Sequence, residues 1–274
     1  MPELPEVEIL KRSLNKNIKF AQISEVKINN ANLRYKIPKY FNKTLKDKII
    51  KNVSRISKYL IFHLNTKKVL LVHLGMSGTI HLVRKDNKKN TNASFYSSSN
   101  LPQKHNHIEI TFKNNIKLIY NDPRRFGYFK ILSNKFINEP PIKNLGPDPF
   151  SQSFNSKYIS NYIKNKKKNI KNLLMDQTFV SGIGNIYANE VLYHCRLNPL
   201  KKITKLSKKN IFQVIKNTRK VLIKAIIFGG STIRNFKRTD GESGNFQQIF
   251  KVYGKTNIKC PRDKCNGILK KIVI

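Results

Sequence analysis

The chain is predicted to be an α+β protein: an N-terminal antiparallel β-sandwich with a leading helix, followed by a helical domain. Three observations carry that prediction. Val7, Leu10, Leu14 and Ile18 recur at helical spacing near the start. Short runs of alternating apolar and polar residues follow, many of them separated by Gly, Asn or Pro. Beyond a Pro/Gly-rich stretch the pattern turns helical.

The strand-like runs are Ile23 to Ile28, Val53 to Leu64, Val69 to Leu74, Thr79 to Val83, His107 to Phe112, Lys117 to Tyr120 and Tyr128 to Leu132. Asp86 to Lys104 is rich in Asn, Ser and Lys and reads as a long loop. Pro140-Pro141 and Gly146-Pro147-Asp148-Pro149 mark a linker. Tyr158, Ile159, Tyr162 and Ile163 then form one helical stripe, and Ile211, Val214, Ile215, Val221, Leu222 and Ile226 a longer one. Ser207 is a candidate N-cap for the longer helix, and Gly229-Gly230 ends it. From about Phe246 the alternation is β-like again and includes two cysteines. The domain boundaries read from this are 1–135, a linker at 136–150, 151–245 and 246–274.

A chain of 274 residues is long enough for two domains with their own cores. It carries 54 Lys and Arg against 15 Asp and Glu, a formal charge of +39. Such a field favours a polyanion, with nucleic acid first among them. Abundant Lys, Asn and Ile also fit an AT-rich genome, which raises the charge for unrelated reasons. Three cysteines and no signal peptide argue against a disulfide framework and for the cytoplasm. No apolar run reaches the ~20 residues of a membrane span. Tryptophan is absent, so base stacking falls to Tyr, Phe or Arg.

The opening Met1-Pro2-Glu3-Leu4-Pro5-Glu6 carries chemistry. Loss of Met1 leaves Pro2 as a secondary amine at the terminus. A terminal amine has a pKa near ~8, against ~10.4 for lysine, so a useful fraction is neutral and nucleophilic. Glu3 and Glu6 lie close enough in sequence to manage protons. The structural alternative is a capped helix start, with proline in the first turn and glutamates at the positive end of the dipole.

Lys58 falls inside the apolar run Tyr59-Leu60-Ile61-Phe62, where a lysine ordinarily snorkels from a strand edge. In Gly182-Ile183-Gly184-Asn185 the glycines permit a tight turn, and Asn185 begins a helix whose free N–H groups suit a phosphate. Lys166-Lys167-Lys168 precedes that turn, with Lys171 one helical turn on. Asp122-Pro123-Arg124-Arg125 reads as a β-turn with proline at its second position. Cys260 and Cys265 form a C-x4-C pair.

These segments together resemble the bacterial formamidopyrimidine-DNA glycosylases. The resemblance runs through the opening octapeptide, Ser57-Lys58-Tyr59-Leu60, His73-Leu74-Gly75-Met76-Ser77-Gly78, Asp122 to Gly127, Met175-Asp176-Gln177, Gly182 to Ala188 and Gly229-Gly230-Ser231-Thr232, in the family's order. Leu4 favours this family over endonuclease VIII relatives, which usually carry glycine there.

The resemblance implies a base-excision repair enzyme that removes oxidised purines from double-stranded DNA, notably 8-oxoguanine and formamidopyrimidines, and then cleaves the strand as a lyase. Pro2 becomes the nucleophile, Glu3 the proton donor, Glu6 a supporting carboxylate and Lys58 a cation that assists elimination. His105, Arg124, Lys166 and Asn185 become DNA contacts, the last within a helix-two-turn-helix motif. Met76, Arg124 and Phe126 fill the space left by a flipped nucleotide. Asn235 to Asn245 matches the loop that covers a flipped 8-oxoguanine.

The family closes a four-cysteine zinc hairpin, one Zn2+ per chain, with a second cysteine pair that has no counterpart before Ile274. The resemblance therefore implies a partial C-terminal zinc-finger hairpin, with Cys260 and Cys265 as half of a metal site. Either the full protein continues beyond Ile274, or it ends early. Cys195 lies in a helical stretch and reads as a buried thiol. The resemblance also implies a cytoplasmic monomer with no membrane partner. Two further readings stand beside this one. A non-catalytic nucleic-acid-binding protein accounts for the charge but not for Pro2-Glu3. An endonuclease VIII-like enzyme would act on oxidised pyrimidines.

Overall fold

The computed structural model describes residues 1–84, 102–230 and 246–273. Most of the expected loop (86 to 101), together with Ser231, Thr232 and the Asn235 to Asn245 segment, lies outside the described residues. The chain forms two compact units, Met1–Lys143 with Ile226–Gln247, and Asn144–Ala225 with Gln248–Ile274.

The first unit opens with α1 (Leu4–Ile18), which a capping box of Glu3 and Glu6 starts. Proline does sit in its first turn, but it is Pro5; Pro2 precedes the helix. Leu4, Val7, Leu10, Leu14 and Ile18 lie on one face and are buried. Each such side chain contributes about 1.5–3 kcal/mol, so Leu14→Asp would undo the docking of α1 on the sheets.

Among the described residues eight strands follow, β1 (Ile23–Ile28), β2 (Ile50–Ile56), β3 (Tyr59–Leu64), β4 (Lys68–His73), β5 (Thr79–Arg84), β6 (Asn106–Phe112), β7 (Ile116–Asn121) and β8 (Tyr128–Ser133), with a short α2 (Phe41–Leu45) between β1 and β2. They build two four-stranded sheets, ordered β1-β6-β7-β5 and β2-β3-β4-β8. All pairings are antiparallel. Inward residues of both sheets, with those of α1, share one continuous core, which is the predicted sandwich.

One expectation fails. Val53 to Leu64 is not a single run but the facing arms of β2 and β3, paired Ile56 to Tyr59 across a two-residue turn. Ser57 takes a φ of 56° there, a left-handed conformation that no glycine announces. Lys58 is thus a turn residue rather than a strand residue. It does not snorkel either: it is only 6% exposed.

The second unit holds α3 (Ser156–Ile163), α4 (Ile170–Met175), α5 (Asn185–Cys195) and, for most of its length, α6 (Lys208–Ile227). Ser207 caps α6 as expected, its Oγ accepting from the Asn210 N–H at 3.2 Å. Lys166 to Lys168 lie in the stretch between α3 and α4, not on a helix with Lys171. Past Phe246 there are no regular strands among the described residues. A 3-10 turn, Phe246–Ile249, leads to a hairpin closed by a single bridge between Lys259 and Ile268. Two charged anchors tie this segment to α5. The buried Glu190 carboxylate accepts from the N–H groups of Lys251, Val252 and Tyr253, each at 2.9 Å. Arg262 lies over the Tyr193 ring at 4.5 Å and donates to the Tyr193 carbonyl. No helix among the described residues is long and apolar enough to cross a membrane.

Candidate active site and nucleic-acid interface

The start of α1 gathers charge in a poorly solvated place. The Glu3 N–H donates to Glu6 Oε2 at 2.9 Å, and both glutamates are 2% exposed. Pro2 is buried beside them. Burial lowers the pKa of the Met1 amine; Glu3 and Glu6 oppose that, while Lys58 and Arg124 add to it. Burial likewise lowers Lys58, against the pull of Glu3 and Glu6. The fold therefore places the N-terminal segment, both carboxylates, Lys58 and Arg124 within one electrostatic neighbourhood.

Lys58 is held there by its turn. Arg55 on β2 donates to the Ser57 carbonyl at 2.9 Å and pairs with Glu8 of α1 at 3.0 Å. Glu8 also takes Lys11 and Arg12. Burial pushes the Glu8 carboxyl up, but hydrogen bonds from Lys11, Arg55 and Arg12 outweigh it and hold the group below its usual range.

Next to Lys58 runs an aromatic row, Tyr59, His73 and Tyr128, aligned across β3, β4 and β8 by their register. His73 stacks on Tyr128 at 5.4 Å. Burial, then Lys58 and Arg34, pushes its pKa down to about 4. It stays neutral and accepts from the Gly75 N–H through Nδ1 at 3.1 Å.

Met76 and Phe126 are the exposed hydrophobics of two adjoining loops, 42% and 44% exposed. Gly75 has a φ of 68°, and a Cβ there would strike the Phe126 backbone, so the two loops touch. The Arg124 guanidinium lies over the Phe126 ring at 4.6 Å. Arg124, Arg125 and Phe126 line a surface cavity of about 590 Å³ with Asn32, Leu33 and Arg34. The predicted β-turn is present, with Arg125 N–H donating to the Asp122 carbonyl at 3.2 Å. His105 closes a 3-10 turn alongside, its carbonyl accepting from the Asp122 N–H at 3.0 Å. Pro2, Glu3, Glu6, Lys58, Met76, His105, Arg124 and Phe126 all belong to this unit.

In the second unit, the Gln177 side chain staples the turn before α5. Its Nε2 donates to the Ile183 carbonyl at 2.7 Å and its Oε1 accepts from the Gly182 N–H at 2.9 Å. Gly182 takes a φ of 95°, which favours glycine. Asn185 opens α5 and is exposed, whereas Ile183, Gly184, Ile186 and Tyr187 around it are buried. Lys166 and Lys168 differ. Lys166 Nζ sits 3.3 Å from the centre of the Tyr162 ring, whereas Lys168 is paired with Asp176 at 2.7 Å.

A family model for the formamidopyrimidine-DNA glycosylase N-terminal domain matches residues 1–129, and one for the family's H2TH domain matches 145–237. The chain belongs to the formamidopyrimidine-DNA glycosylase family. These are glycosylases of base-excision DNA repair. A curated formamidopyrimidine-DNA glycosylase of Roseobacter denitrificans is 36% identical over 274 residues, covering 100% of this chain and 95% of that protein. One from a Wolbachia of Brugia malayi is 39% identical over 260 residues, covering 95% and 91%. Among solved structures, the Lactococcus lactis enzyme in complex with abasic-site DNA superimposes with a TM-score of 0.87 at 32% identity, covering 99% of this chain and 94% of that one. The wild-type L. lactis enzyme with DNA containing N7-benzyl-Fapy-dG gives 0.86.

Family membership brings zinc into question. Among the described residues no three His, Cys, Asp or Glu side chains are grouped so as to hold a metal ion. Cys260 and Cys265 lie side by side on the C-terminal hairpin. Cys195 is elsewhere, between α5 and α6, donating to the Gln213 carbonyl at 3.4 Å, with burial pushing its thiol up to about 11. A closed structural zinc site needs four ligands, so the described residues do not fit the family's ion.

Sequence reasoning missed several residues that hold these segments in place. Arg34, Arg55 and Glu190 carry no local signal, because their partners are distant in sequence. Asp122 and His73 lie in quoted motifs, yet nothing in the sequence says that their side chains point inward.

Proposed function

We propose that this glycosylase removes oxidised purines, 8-oxoguanine and formamidopyrimidines paired with cytosine, and cleaves the strand through an imine on Pro2. The single observation that carries the reading is the shared neighbourhood of the Met1 amine, Glu3, Glu6 and Lys58, with Pro2 buried within it. While Met1 is attached, the Pro2 nitrogen is an amide with no lone pair to give. Removal of Met1 uncovers a secondary amine facing the same charges. Burial, Lys58 and Arg124 push the Met1 amine down, and a terminal amine at Pro2 enters the same surroundings.

That nitrogen attacks C1′ of an everted nucleoside. The glycosidic bond breaks with its electron pair leaving on the base, and Glu3 delivers a proton as the sugar ring opens. The iminium that links Pro2 to C1′ acidifies the C2′ proton. Loss of that proton expels the 3′ phosphate by β-elimination. Lys58, whose amine burial pushes down against the pull of the two carboxylates, assists elimination beside the phosphates; Glu6 holds the start of α1 in place. Met76, Arg124 and Phe126 fill the emptied stack, which offsets an unstacking cost of a few kcal/mol. His105, Lys166 and the exposed N-terminus of α5 at Asn185 contact the backbone. The L. lactis complexes with damaged DNA support a DNA-bound role.

The test is base release and strand scission on a duplex carrying 8-oxoguanine opposite cytosine. The chain with Met1 removed should yield free base and a nicked strand, and a form that retains Met1 should yield neither. Equal activity of the two forms would reject the Pro2 mechanism. Binding without release would favour the non-catalytic reading.

A further inference from the structure

The structure assigns Asp122 as a positioning residue that holds the three segments bearing His105, Met76 and Arg124–Phe126 in register for duplex opening. This rests on the proposed DNA contacts of those residues. Asp122 is the first residue after β7 and is 0% exposed. Its Oδ1 accepts from Ser77 Oγ at 2.5 Å and from the Arg124 N–H at 3.2 Å. Its Oδ2 accepts from Tyr120 Oη at 2.8 Å and from the Gly127 N–H at 2.9 Å. The backbone carries the third segment: its N–H donates to the His105 carbonyl at 3.0 Å, and its carbonyl takes His107 Nε2 at 2.8 Å.

All four carboxylate partners are uncharged donors. A buried carboxylate whose partners among the described residues are all neutral donors is an expensive element for mere stability. Its use here is geometric, since one group fixes both ends of the Arg124–Phe126 turn to the Ser77 loop and to β7. Packing leaves no slack. A Cβ on Gly127 would strike the Tyr120 hydroxyl, and one on Gly75 the Phe126 backbone. The tips that this hub supports, Met76, Arg124 and Phe126, are exposed. A displacement of about 1 Å at a reacting site costs on the order of a hundredfold in rate.

Asp122→Asn keeps the volume but puts an amide N–H2 among donors. Excision of 8-oxoguanine opposite cytosine should fall about a hundredfold. Strand cleavage at a preformed abasic site should fall far less, because no stacked base has to leave. Parallel losses would make Asp122 a general fold element and overturn the proposal, as would no loss on either substrate. A second variant avoids dependence on folding of the first and on catalysis. Ser77→Ala removes the donor to Asp122 and also the Oγ that accepts from the Arg124 N–H at 3.3 Å, so the informative amide is Gly127, which bonds Asp122 but not Ser77. In the free protein the variant should speed amide hydrogen exchange at Gly127 as well as at Arg124 and Gly75 to Gly78, and faster exchange confined to the Ser77 loop and Arg124 would overturn the coupling. Inactivity of the unaltered protein on both substrates would instead count against the glycosylase reading, which the exchange experiment does not need.

Discussion

The Glu3 N–H donates to the Glu6 carboxylate at 2.9 Å, so two buried acids share the first turn of α1. The pair satisfies a helix start and faces the terminal amine at once. These roles separate by substitution, because glutamine can still bond the backbone but cannot donate a carboxyl proton. Glu3→Gln should therefore leave the thermal midpoint nearly unchanged while lowering base excision by about a hundredfold. Cleavage of a preformed abasic site should suffer less. A large fall in midpoint with matching losses in binding and excision would mean that Glu3 only caps the helix.

Lys166 and Lys168 should behave differently toward salt. Each neutralised phosphate adds roughly 0.9 to the slope of log K against log salt. Lys166, stacked on Tyr162, has its charge available, so Lys166→Ala should reduce the slope by about one. Lys168 is already neutralised by Asp176, and Lys168→Ala should change the slope less. DNA titration between low and moderate salt distinguishes them; equal effects would place both lysines on the same solvated face.

His73 gives the site a pH dependence with a defined sign. Its folded pKa is lowered from 6.5 to about 4. Between those values the unfolded chain binds a proton that the folded chain refuses, so stability is full above pH 6.5 and drains as pH falls toward 4. The loss reaches about 3 kcal/mol at about 1.4 kcal/mol per pH unit. His73→Asn retains an acceptor for the Gly75 N–H and does not titrate. Denaturation curves at neutral pH and near pH 4.5 should converge for the variant relative to the parent; parallel losses would show that His73 is not the group responsible.

The C-terminal hairpin should be held by Glu190 rather than by metal. Glu190→Gln sets an amide N–H2 against three backbone donors and should cost about 1–3 kcal/mol locally. The expected readout is faster tryptic cleavage within 251–271, with chelator having no effect on the parent protein. Release of the hairpin by chelator alone, or one tightly held zinc per chain, would contradict this.

Much of the architecture was legible because alternation and turn residues are local. β1 begins and ends where the pattern does, and Ser207 and Gly229 bracket α6. The β2–β3 turn was hidden because Ser57 adopts a positive φ with no glycine to mark it. The short α2 and α4 give too few residues for a period to register. Of the site, Pro2, Glu3 and Lys58 could be named from motifs. Their shared burial, the Glu8–Arg55 brace under Lys58 and the inward aim of Asp122 arise from tertiary packing and leave no local trace.

The central claim is that a covalent imine forms on Pro2. Borohydride reduces such an imine to a stable amine and fixes the protein to its DNA. The measurement is peptide mapping of the adduct trapped on an 8-oxoguanine duplex. The account predicts that Met1 is absent and that the sugar remnant sits on the Pro2 nitrogen, with trapping nearly lost in Pro2→Gly. A remnant on Lys58, or no adduct from protein that still releases base, would contradict it.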